Sequence, residues 1–67
     1  MNENTNRRKQ TEQKILDAVG RIVKNEGFKG LGINTIAREA GCDKVLIYRY
    51  FISMEGLIQS FLLHNDL

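Results

Sequence analysis

Sixty-seven residues allow one small domain, and 42% hydrophobic content is enough for a single core. Leaving tyrosine aside, the longest uninterrupted apolar runs are three residues, Val45–Ile47 and Phe61–Leu63, far short of the roughly 20 that a membrane-spanning helix needs. The polar start lacks a secretory core, and one cysteine cannot form an internal disulfide, so a cytoplasmic location is expected. The net charge of +2 is unevenly placed. Residues 1–14 hold Arg7, Arg8, Lys9 and Lys14 against Glu3 and Glu12, whereas acids and bases balance over residues 15–67. An excess of this kind suits a polyanion, nucleic acid before an anionic membrane.

Residues 1–10 have no hydrophobic residue after Met1 and are expected to form a disordered basic arm. Thr11 is an expected N-cap for a first helix over 11–26. Its apolar residues Ile15, Leu16, Val19, Ile22 and Val23 fall on one face of a 3.6-residue repeat. Gly27 is expected to end it. Gly20 lies inside it, which suggests a close helix crossing. A loop follows, from which Phe28 and Leu31 should fold back onto the core. Ile33, Ile36, Ala37 and Ala40 mark a second helix over 33–40. Asp43 should cap a third over 44–51, and Ser53 a fourth over 54–65 with Leu57, Ile58, Phe61 and Leu62 on its apolar side. The expected fold is all-α: a small helical bundle with a homeodomain-like helix-turn-helix, three helices plus the start of a fourth.

The stretch from Ile33 to Phe51 carries most of the functional information. Gly41-Cys42-Asp43 is too short to lay two helices antiparallel, so the third must cross the second steeply, as in a helix-turn-helix. Gly41 supplies the positive φ of the turn. Ile36, Ala40, Cys42 and Ile47 should line the inside of the elbow. Ile47 and Phe51 define the inner face of the third helix, leaving Tyr48 and Tyr50 exposed. Such a helix fits the major groove of B-DNA.

These blocks closely resemble the N-terminal DNA-binding domain of the tetracycline-repressor (TetR) family of bacterial transcription regulators. The resemblance covers about residues 11–62. It rests on Lys14-Ile15-Leu16-Asp17-Ala18, Gly27-Phe28, Ile36-Ala37-Arg38-Glu39-Ala40-Gly41, Ile47-Tyr48-Arg49-Tyr50-Phe51 and Ser53-Met54-Glu55-Gly56-Leu57, in that order. It implies that the third helix is the recognition helix, with Lys44, Val45 and Leu46 facing base edges and nearby backbone. Tyr48 would lie in or beside the groove, and Tyr50 would reach a phosphate. Thr11 and Asn34 resemble DNA-contacting positions, and Ser53 and Met54 resemble a phosphate clamp. Arg49 reads as a surface charge, with a phosphate contact as its functional alternative. Lys44 suits guanine, and Val45 and Leu46 suit thymine methyls.

Five positions depart from the family pattern. Gly32 stands where a Ser or Thr cap is favoured, Val45 and Leu46 where Gly and Thr are common, Met54 for a lysine, and Ile52 for a frequent proline. Together they imply an apolar recognition surface with fewer ionic contacts.

The family continues into a ligand-binding, dimer-forming C-terminal domain. Residues 11–67 are therefore expected to be the DNA-binding domain of a longer regulator, or a truncated form of one. The full-length protein would be a homodimer on a near-palindromic operator, most often a repressor; this chain alone would be monomeric or weakly self-associating. No cofactor, metal site or membrane partner is expected. Cys42 reads as a small core residue, and His64 has no ligand cluster around it, so nothing supports an enzyme. The alternative is a small helical protein-interaction module using Val45 and Leu46. A membrane-surface helix is weaker still, because acids and bases mix on the polar face of the first helix.

Overall fold

The computed structural model describes residues 3–64, with side chains from Arg7 onward. Four helices follow in order: α1 (Glu3–Glu26), α2 (Ile33–Ala40), α3 (Lys44–Phe51) and α4 (Met54–His64), with a short 3₁₀ turn over Phe28–Gly30. Three of the four expected starts are met to the residue. The fourth helix is described to His64; Asn65 and Asp66 lie outside the described residues.

The exception is α1. Helix begins at Glu3, so the basic triplet Arg7, Arg8 and Lys9 lies on helical turns, and the expected loose arm is corrected over residues 3–10. Thr11 lies in mid-helix, half-buried, and cannot cap it. Once a helix is nucleated by its buried stripe, each further residue adds one hydrogen bond at little cost. Arg, Lys, Gln and Glu all propagate helix well. An Arg8–Glu12 pair one turn apart, 2.8 Å from Nε to Oε2, adds a few tenths of a kcal/mol, ~0.3.

The core is one cluster: Ile15, Leu16, Ala18, Val19 and Ile22 from α1, Ile36 from α2, Ile47 and Phe51 from α3, and Leu57 from α4. Every helix contributes, so the helices hold one another rather than standing alone. Leu31 and Cys42 pack against this cluster as partly buried residues. Phe28 does not; it is 54% exposed, because the 3₁₀ turn carries it outward while the next turn of chain returns Leu31. Gly20 faces the Phe61 ring of α4, but a Cβ there would lie at an ordinary 3.4 Å, so the crossing does not require a glycine.

The elbow between α2 and α3 is closed by backbone bonds. Gly41 has φ 74° and ψ 33°, the left-handed conformation. Its N–H reaches Ala37 O at 2.9 Å and Arg38 O at 3.3 Å, and the Cys42 N–H reaches Ala37 O at 3.0 Å. That is a Schellman closure, which satisfies carbonyls left free at the end of α2. Asp43 then caps α3 through a long 3.4 Å bond from the Val45 N–H. Arg21 braces α2 against α1: Nε donates to Glu39 Oε2 at 2.9 Å and Nη2 to the Glu39 carbonyl at 3.2 Å. Both side chains are about half exposed, so the pair contributes under about 1 kcal/mol.

The α3–α4 junction is tighter. Only Ile52 and Ser53 separate the helices. Ile52 has φ 75° and ψ −47°, and the Ser53 N–H donates back to Phe51 O at 2.8 Å. This is a γ-turn of the positive-φ hand, rare and strained for a β-branched residue. Ser53 Oγ accepts from the Gly56 N–H at 3.1 Å, as the expected cap. A Cβ at Gly56 would collide with the Phe51 carbonyl oxygen, so the close approach of the two helices depends on that glycine.

Candidate nucleic-acid interface

The outward face of α3 follows from what its inward face buries. Ile47 is fully buried and Phe51 nearly so. Residues three apart on a helix are surface neighbours, so Val45 and Tyr48 form one stripe on the far side. They are 53% and 50% exposed. Lys44 and Arg49 flank that stripe and are exposed. Leu46 and Tyr50, four apart, share a half-buried flank.

Tyr50 differs from its expectation. It is half-buried and packs against the core cluster. The Arg8 guanidinium carbon lies 4.9 Å from its ring centroid, within cation–π range. The sequence groups Arg8 with Arg7 and Lys9 as a basic excess, but nothing local singles it out to meet Tyr50.

The remaining sequence-based candidates lie around α3. Asn34 is exposed in the first turn of α2. Gly32, before it, offers no side-chain cap bond, so the amide groups of that turn are left to other acceptors. Ser53 and Met54 open α4, adjoining the end of α3. Met54 is half-buried against the core rather than extended outward, so it offers packing in place of a charge. Thr11 sits within α1, three residues beyond Arg8.

No acid lies on α3, and its polar side chains are Lys44, Tyr48, Arg49 and Tyr50. A face with cations, a phenol hydroxyl and apolar groups can bind phosphate oxygens and contact base methyl groups. It offers no nucleophile paired with a base. Cys42, half-buried at the elbow, has its thiol pKa pushed up by burial and then by the neighbouring Asp43 carboxylate, with Lys14 pulling weakly the other way. That keeps it protonated and unreactive at neutral pH. Among the described residues, no group of three His, Cys, Asp or Glu comes together as a metal site. Nor is any helix among them long and apolar enough to cross a membrane.

Comparison with known proteins gives the same outline. The profile described as bacterial regulatory proteins, tetR family, matches residues 15–61, which spans the whole core from Ile15 to Leu57. Two relatives from different strains of Mycobacterium tuberculosis, each named as an uncharacterized HTH-type transcriptional regulator, are 43% identical over 44 residues. That stretch is 66% of this chain but 22% of each relative, so the chain spans about a fifth of their length. No solved structure matches the chain. The matched span covers well over half of the residues, and the chain belongs to the tetR family of bacterial regulatory proteins.

Proposed function

We propose that this chain binds double-stranded DNA sequence-specifically as part of a transcriptional regulator, a repressor, with the first turns of α3 in the major groove. One observation carries the reading. The helix after the elbow turns Lys44, Val45 and Tyr48 to solvent while Ile47 and Phe51 anchor it from behind. A face so supported is rigid and projects from the bundle, as groove entry requires. Family membership and the relatives' description as HTH-type transcriptional regulators support the same reading.

In this reading Lys44 donates to guanine or phosphate, Val45 and Leu46 meet thymine methyl groups, and Tyr48 and Tyr50 donate hydroxyls to phosphates. Asn34, Arg49, Ser53 and Thr11 add backbone contacts. At natural length, two copies would place their α3 helices roughly 34–36 Å apart on a near-palindromic operator.

Selection of bound sequences from a random DNA pool, using the protein at its natural length, tests this. Lys44→Ala and Tyr48→Ala should each weaken binding to the selected site by about 1–3 kcal/mol. Absence of any binding at low salt would overturn the proposal. The exposed Val45, Tyr48 and Ile52 also suit a protein-binding face. In that case the Lys44→Ala variant would keep its partner, and no DNA would be selected.

A further inference from the structure

A loose basic arm is what the composition of residues 1–10 predicts; the fold gives one of its arginines a fixed place. Arg8 is held from two helices. Within α1, Glu12 Oε2 accepts from its Nε at 2.8 Å. Across the bundle, its guanidinium carbon is 4.9 Å from the ring of Tyr50, in the last turn of α3. Its side chain remains 55% exposed. The Nε–H is taken, and among the described residues no acceptor meets the four N–H bonds on Nη1 and Nη2. The Tyr50 hydroxyl likewise makes no hydrogen bond there. Because no buried side-chain N or O among the described residues lacks a partner, that hydroxyl reaches the surface.

Two donors of complementary kind are thus placed close together, neither with an acceptor for these N–H and O–H bonds among the described residues. A guanidinium over an aromatic face is weakly hydrated and keeps its planar N–H fork, which matches phosphate oxygens. Their position selects the source of that phosphate. The eight residues of α3 span about 12 Å. The major groove is roughly 12 Å wide. With the first turn of α3 in the groove, as the reading above has it, a site in its last turn is within reach of the backbone that borders that groove.

We propose that Arg8 and Tyr50 form one composite site for a DNA backbone phosphodiester, with Glu12 as the residue that positions the guanidinium. This rests on the DNA-binding reading above. The site makes the start of α1 part of the interface and couples it directly to the recognition helix.

The test uses the natural-length protein and its selected DNA, with affinity measured over a range of salt concentrations. Arg8→Ala should weaken binding roughly tenfold. It should also reduce the slope of log K against log salt by about 0.9, the loss of one phosphate contact. Arg8→Lys should restore the slope but only part of the affinity, because an ammonium lacks the planar fork. Tyr50→Phe keeps the ring and should weaken binding a few-fold without changing the slope. Combined with Arg8→Ala it should cost less than the sum of the two, since both donors serve one phosphate.

Thermal melts in parallel separate positioning from binding. An Arg8→Ala variant with wild-type affinity and slope would overturn the proposal. So would an affinity loss with an unchanged slope, which would mean that Arg8 only braces α1 on α3. Equal losses from Arg7→Ala and Arg8→Ala would show diffuse attraction in place of a built site. Failure of the wild-type protein to select any DNA would instead remove the reading beneath it.

Discussion

Ile52 holds the strained joint between α3 and α4, and replacing it with glycine should stabilise the protein. At φ 75° and ψ −47° its branched side chain is in a region that costs about 1–3 kcal/mol. Glycine takes positive φ without that penalty, but its freer unfolded chain costs back about 0.5–1 kcal/mol. Little burial is lost, because Ile52 is 81% exposed; a fifth of a full side-chain burial is ~0.4 kcal/mol. The net is a gain of about 1 kcal/mol, which for a domain of this size raises the melting temperature by roughly 4–8 °C. Circular dichroism melts and urea midpoints on the same samples measure it. Ile52→Pro is the opposing control. Proline fixes φ near −65° and lacks the N–H that Ile52 donates to Tyr48 O at 2.8 Å, so the variant should lose about 3 kcal/mol or more. A neutral or destabilising Ile52→Gly, or an Ile52→Pro as stable as the parent, would refute the argument. The second outcome would mean that residue 52 does not hold a positive φ.

Further outcomes follow from the same packing. Gly20→Ala should stabilise α1 by about 0.5–1 kcal/mol, because the added methyl meets the Phe61 ring at an ordinary 3.4 Å; urea unfolding reads it. Ile47→Ala should cost about 2–5 kcal/mol and leave the domain largely unfolded at 37 °C, whereas Ile47→Val should cost about 0.5–1.5, both seen in the same titrations. If Val45 packs on thymine methyl groups, replacing single thymines of the selected site with deoxyuridine should weaken binding at one or two positions, and Val45→Ala should abolish that difference. Cys42 should react with iodoacetamide more slowly than an unfolded-chain thiol at pH 8, since its raised pKa leaves less thiolate. The sign for stability follows: a thiol whose pKa is raised by folding favours the folded state below the unfolded-chain value. That contribution is lost as pH climbs through the folded one.

Much of the fold is legible in the sequence because the signals concerned act within a turn or two of chain. The apolar stripe from Ile15 to Val23, the left-handed glycine at Gly41 and the caps Asp43 and Ser53 each state a local rule, and α2, α3 and α4 begin where those rules place them. The inner face of α3 also follows from spacing alone, since Ile47 and Phe51 are one turn apart and both buried. By elimination this exposes Lys44, Val45 and Tyr48.

Residues 3–10 carry no apolar period, so their helix is invisible to pattern; it depends on propagation from a stripe that the rest of the bundle buries. Phe28 and Tyr50 exchange their expected surroundings for the same reason. Whether an aromatic ring is covered depends on which distant residue arrives, and Arg8 arrives over Tyr50 while nothing covers Phe28 to the same extent. Met54 reads as a clamp by position, yet packs inward because its apolar chain finds the core. Short-range signals along the chain thus suffice for α2, α3 and α4, the caps Asp43 and Ser53, and the elbow. How far α1 runs, what Arg8 touches and what conformation the two-residue joint imposes on Ile52 are beyond such signals, because each depends on groups brought together by packing across the bundle.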